Sequence, residues 1–187
     1  MNTLKAEKRS MDVKAKKLRR EGFVTGNLFG REIEGSIPLK FTKKEIEVLL
    51  KNNNKGSQVM LELDGKTYDA LIKEVDYNPL AHTVEEVDFQ ALVSNEMVHS
   101  TAEIILENEE KVMSGVLQDE LKEVAYKALP ADLVDKIKVD VAGMKRITKN
   151  KNIHITTDPE AVVATVTPVH NVVPETETEA EETAEEK

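Results

Sequence analysis

Cysteine and tryptophan are absent from the 187 residues, which excludes disulfide scaffolds and thiolate metal sites. Aromatic residues make up only 4%, so platforms on which bases stack are scarce. No apolar run exceeds about four residues, Ala161 to Ala164 being typical, and nothing is long enough for a transmembrane helix or the apolar stretch of a signal peptide. A soluble, cytoplasmic protein without membrane contact is therefore expected. The four histidines, His82, His99, His154 and His170, are widely separated and show no ligand spacing. Neither a glycine-rich phosphate loop nor a nucleophile elbow is present, so no metal, cofactor, small-molecule substrate or enzymatic activity is expected.

What the chain does have is charge, at 33% of its residues, beside a hydrophobic fraction of 40% that suffices for ordinary cores. The net charge of −9 is unevenly distributed. Residues 1–20 carry eight Lys/Arg against Glu7 and Asp12, and residues 171–187 carry seven Glu against Lys187. A basic arm, an acidic body and an acidic tail say more about partners than the total does.

Ser10 to Gly22 reads as a short helix, capped by Ser10 or Asp12 and stopped at Gly22. Its apolar stripe is narrow (Val13, Ala15, Leu18), so Lys14, Lys16, Lys17, Arg19 and Arg20 cover the remaining surface. Phe23 to Gly30 and Ser36 to Phe41 read as strands, the second with Ile37, Leu39 and Phe41 alternating. Thr42 to Glu45 forms a capping box that opens a helix with Ile46, Leu49 and Leu50 on one face. Val59, Leu61 and Leu63 alternate up to Asp64-Gly65, a strong hairpin turn, and Thr67 to Val75 returns. A further strand, Thr83 to Leu92, puts Val87, Phe89 and Ala91 on one face and Glu86, Asp88 and Gln90 on the other. A second all-β pattern follows, with Val98 to Leu106, Val124 to Ala128, Ile137 to Val141 and a last strand, Val162 to Val166.

The expected fold is mainly β: a helix-decorated β-barrel over 1–92, a separate all-β domain over 93–170 and a Glu-rich tail over 171–187, too poor in apolar residues to order.

Several stretches resemble the bacterial large-subunit ribosomal protein family that binds 5S rRNA, whose two-domain members are also called CTC or general stress proteins. They are Leu18-Arg-Arg-Glu-Gly22 with the strand running to Phe29-Gly30, Leu71-Ile-Lys-Glu-Val-Asp76 leading through Pro79 to Val87-Asp-Phe89, Gly115-Val-Leu117, Leu129-Pro-Ala-Asp-Leu133 and Ile137-Lys-Val-Asp-Val141. The match spans roughly residues 1–168. It implies an N-terminal barrel docked on 5S rRNA and a separate C-terminal β domain facing neighbouring ribosomal proteins.

The resemblance also implies contacts. Arg9 matches an Arg near the start, and Arg20, with Arg19 beside it, matches an Arg closing the basic helix. Phe29 stands where the family has a Tyr, and Glu86-Val87-Asp88 where it has His-Val-Asp. Phe29 keeps a ring but loses one hydrogen bond worth roughly 0.5–1.5 kcal/mol, and Glu86 sets a carboxylate toward a polyanion. His82 lies close enough in sequence to be a second RNA-facing candidate.

Arg9, Lys14, Lys17, Arg19 and Arg20 then serve phosphates, with Phe29 and Asp88 nearer bases or sugars. Against this stand blander roles: a solvated helix face, Phe29 in the core, Asp88 as an ordinary strand carboxylate. The competing functions are a divergent paralogue acting as a stress-related interaction module, and a barrel for another RNA such as tRNA.

Overall fold

In the computed structural model, residues 3–112, 115–142 and 152–167 are described. The N-terminal half is a closed six-stranded barrel of order β1-β3-β2-β6-β5-β4, formed by β1 (Thr3–Lys8), β2 (Phe23–Phe29), β3 (Ser36–Thr42), β4 (Gln58–Leu63), β5 (Lys66–Asn78) and β6 (Thr83–Ala91). Period-two alternation turns Val59, Leu61 and Leu63 inward from β4, and Val87 and Phe89 inward from β6. The Phe41 and Phe89 rings meet at 5.4 Å in a tilted pair, the offset geometry that aromatic quadrupoles favour.

Helix α2 (Lys43–Leu50) starts where the Thr42–Glu45 box predicts, the Glu45 amide donating to Thr42 Oγ1 at 3.4 Å. It sinks Ile46 and Leu49 into the same barrel core. Burying each such side chain contributes about 1.5–3 kcal/mol. Asp64 and Gly65 both take positive φ (50° and 76°) and link β4 to β5 in the tight turn expected of Asp-Gly.

The basic arm is not free along its whole length. Thr3–Lys8 is a barrel strand, antiparallel to β3 and parallel to β4, with Leu4 and Ala6 facing the core. Lys8 pairs with Asp64 at 2.9 Å, and Glu7 with Lys40 at 2.7 Å.

The second half is the all-β pattern expected. Strands β7 (Val98–Glu107), β9 (Glu123–Ala128), β10 (Lys136–Asp140) and β11 (His154–Ile155) form a sheet of order β10-β7-β9-β11, and β8 (Val116–Asp119) pairs with β12 (Ala164–Thr167). The last strand starts two residues later than its pattern suggests, and Val162 is exposed. Ala102, Tyr126 and Ala128 form a small core; the Tyr126 hydroxyl donates to the Val134 carbonyl at 2.6 Å and accepts from the Val134 amide at 2.8 Å. The tail 171–187 and the Asn150 interruption lie outside the described residues.

The loop between α2 and β4 joins the barrel to the second half. The Asn54 amide donates to Glu103, Lys55 pairs with Glu123 at 3.5 Å, and Ser57 Oγ donates to Asp135 at 3.3 Å. Between them Gly56, at φ +88°, passes so close to β7 that a Cβ there would sit 1.9 Å from the Thr101 carbonyl oxygen.

Candidate nucleic-acid interface

The basic helix is shorter than its sequence suggests. α1 spans Ala15–Arg20, Lys14 is its N-cap, and no side chain caps it. Ser10 and Asp12 instead satisfy one another, Ser10 Oγ donating to Asp12 at 3.0 Å and the Asp12 amide returning to Ser10 Oγ at 3.3 Å. Short polar side chains compete with helix in this way. Leu18, 6% exposed, is the one buried residue of α1. Lys17, Arg19 and Arg20 in its last turn complement the negative end of the helix dipole, and Gly22 follows with φ +87°.

The site residues then separate by what they touch. Lys14, Lys16, Lys17 and Arg20 are exposed, and among the described residues only Lys17 of the four meets a carboxylate, Glu21 at 3.9 Å. Arg9 is half-buried: one Nη2–H donates to the Val13 carbonyl at 3.2 Å, while its buried Nε has no partner among the described residues. Arg9 therefore fixes the turn into α1.

Arg19 points the other way, onto the barrel. Its Nη1 lies 2.7 Å from Glu85 and its Nη2 3.8 Å from Glu86, and Nε donates to the Glu85 carbonyl at 3.3 Å. The bonds to the Glu85 carboxylate and carbonyl, with the longer ion pair to Glu86 beside them, tie α1 to β6 through Arg19.

Glu85 also accepts from Asn78 at 2.7 Å. This bond brings in the β5–β6 hairpin tip, where His82, at φ 49°, sits 3.3 Å from the exposed Tyr77 hydroxyl. Asp88 is outward-facing as its alternation predicts, and it accepts from the Asn27 backbone amide at 3.0 Å and side-chain amide at 3.1 Å. Asn27 also donates to Glu86 at 3.3 Å. Phe29 is half-buried and outside the barrel core; it lies on β2 in the outward register of Thr25 and Asn27, opposite Gln90 of β6.

The interface thus has two characters. α1 and its N-cap present exposed cations, Lys14, Lys16, Lys17 and Arg20, suited to phosphates. Beside it, Glu74, Asp76, Glu86 and Asp88 line a groove in which Glu74 faces Asp88, and Asp76 faces Glu86, directly across the strands. Like charges so opposed repel, and the Asn27 amides and Arg19 offset part of that repulsion. The groove offers acceptors to amino groups and 2′-hydroxyls. Among the described residues, no group of His, Asp or Glu is arranged to hold a metal ion, and no helix is long and apolar enough to cross a membrane.

Sequence patterns alone did not single out Asn27, Asn78, Glu74, Asp76 or Glu85. Their association depends on parallel pairing of β2 with β6 and on two register shifts in β5, neither of which has a local signature.

Two family models match the chain: the Ribosomal L25p family over residues 4–89, and the C-terminal domain of ribosomal protein TL5 over residues 97–170. Among curated relatives, large ribosomal subunit protein bL25 of Bacillus velezensis is 30% identical over 181 residues, 90% of this chain and 89% of the relative. That of Caldicellulosiruptor saccharolyticus is 33% identical over 173 residues, 87% of this chain and 84% of the relative. With both halves matched in order and most of each relative covered, the chain belongs to the bL25 family of large ribosomal subunit proteins.

Proposed function

We propose that this protein is a structural, non-enzymatic component of the large ribosomal subunit, and hence cytoplasmic, that docks on 5S rRNA through α1 and the adjoining outer face of β2, β5 and β6. In this reading residues 1–92 are the RNA-binding domain, and 93–170 are a separate β domain that meets other ribosomal components. The observation that carries it is the exposed Lys14, Lys16, Lys17 and Arg20 on one short helix of an otherwise acidic chain, backed by the family relationship. Lys14, Lys17 and Arg20 contact phosphates, Phe29 stacks, Asp88 accepts from base or sugar, and His82 with Tyr77 lies at the margin. Arg9 and Arg19 hold α1 in place for that contact.

Filter binding of 5S rRNA at graded salt tests the proposal. Binding should be tight, and its logarithm should fall linearly with log salt, by roughly 0.7–0.9 for each phosphate neutralised. Replacing Lys17 and Arg20 together by Ala should lower both affinity and slope. A weak, salt-insensitive response would favour the interaction-module alternative. Equal competition by tRNA would redirect the site to another RNA.

A further inference from the structure

A second concentration of basic side chains lies on the outer face of the β10-β7-β9-β11 sheet. His99 of β7 stands directly opposite Lys127 of β9, and Lys127 directly opposite His154 of β11. Directly opposed residues project from the same face, so three basic side chains form a row roughly 10 Å long, at about 4.8 Å per strand. His99 and His154 are exposed and Lys127 half-buried, while Ser100, Tyr126 and Ala128 alternate with them into the core side. Lys73 of the barrel extends the row, its Nζ donating to the His99 carbonyl at 2.7 Å.

Each imidazole, when protonated, repels the lysine opposite it. The carboxylates nearest the row along β7 and β9, Glu103 opposite Glu123, lie four residues along the strands and are engaged by Asn54 and Lys55. Among the described residues, neither Lys127 nor Lys73 has an acidic partner. The crowding is felt locally. Partial loss of hydration, then Lys127 and Lys73, push the His99 ring below its ordinary value, and burial, then Lys55, lower Lys73.

The geometry points to a second phosphate-binding surface, formed by His99, Lys127 and His154 with Lys73 at its end, that takes the backbone of an RNA duplex. It rests on the ribosomal assignment proposed above. Lysine acts there as a point charge and the imidazoles as N–H donors; without a guanidinium fork the contact is made by charge and shape, independent of sequence. Residues 93–170 carry nine basic and thirteen acidic residues, a balance that suggests avoidance of RNA. The row shows that the placement of charges, not their sum, governs the local contact.

The test uses the full chain with Lys17→Ala and Arg20→Ala in place, so that the α1 surface is silenced, and a 5S-unrelated RNA duplex as probe. Adding His99→Gln, Lys127→Gln and His154→Gln should weaken the remaining duplex binding about three- to tenfold near 0.1 M salt and lower the salt slope by roughly one. Unchanged thermal unfolding checks the fold. If affinity and slope are unmoved, the row does not bind RNA. If duplex binding is unmoved but the row variant alone dissociates from large subunits on sedimentation, the row serves a protein partner and the inference is overturned. Failure of the Lys17, Arg20 pair to reduce 5S rRNA binding would instead count against the α1 docking surface.

Discussion

Replacing Gly56 by Ala should damage this protein far more than the same change at Gly22, although the two glycines have nearly the same backbone, φ +88° and +87°. Left-handed geometry alone costs a side-chain-bearing residue about 1–2 kcal/mol. That is the whole penalty at Gly22, where a Cβ would meet nothing within 4 Å. At Gly56 the Cβ would lie 1.9 Å from the Thr101 carbonyl oxygen and 3.2 Å from Ser100 Oγ. The obstacle is backbone of a paired strand, so the loop must retreat. Retreat breaks the Gly56 amide bond to the Ile72 carbonyl at 2.9 Å and strains the Asn54–Glu103 and Ser57–Asp135 bonds. Losing two or three such bonds adds about 2–3 kcal/mol. At roughly 2–4 °C per kcal/mol for a chain of this size, Gly56→Ala should lower Tm by about 8–15 °C and Gly22→Ala by about 3–6 °C. Calorimetry of both variants, with urea unfolding as a second measure, decides the matter. Matching losses, within ~0.5 kcal/mol, would refute the claim that the α2–β4 loop is clamped against β7.

Three other perturbations have defined outcomes. Glu86→Gln keeps an acceptor for Asn27 but removes one charge from the carboxylate groove; a unit charge about 4 Å from phosphate is worth ~1 kcal/mol in water, so 5S rRNA affinity should rise about fivefold, and unchanged or weaker binding in a filter assay would show that this face does not meet RNA. Tyr126→Phe leaves both polar groups of Val134 without their shared hydroxyl partner and should destabilise the second half by about 2–3 kcal/mol in a urea titration; a loss below ~0.5 kcal/mol would refute that role. Because the folded chain holds the His99 pKa below 6.5, the unfolded chain takes up that proton first as pH falls. Stability should therefore be unaffected by His99 above pH 6.5 and decline below it, down to the folded pKa; melting curves at pH 7.5 and 5.5 should show a smaller acid loss for His99→Gln, and an equal loss would contradict the assignment.

What could be read from the sequence was local. The Thr42–Glu45 cap, the Asp64-Gly65 turn and the alternation of Val87 and Phe89 each act within a few residues, and each appears where expected. β1 was not legible, because Leu4 and Ala6 are its only inward residues and its partners lie some thirty to sixty positions away. α1 was overextended because Ser10 and Asp12 suit a cap and a turn equally well in sequence, and the turn prevails. Among the site residues, Lys14, Lys17 and Arg20 are exposed as their composition implies. Arg19 has the same residue type and neighbourhood, yet it is held by Glu85, sixty-six positions later. Only the folded barrel distinguishes it from Arg20.

The seam between β1 and β4 also carries a kinetic consequence. β1, the earliest of the six barrel strands along the chain, takes its place between β3 and β4, whose last residue is Leu63. Until that residue emerges, β1 is paired on one side only, with β3, and the barrel closes only once β6 has joined β2 to β5. Closing a loop of this length is slow compared with forming a hairpin. Synthesis rate, and any bulky fusion placed ahead of Thr3, should therefore influence how much of the protein matures and how much is lost to edge-to-edge association.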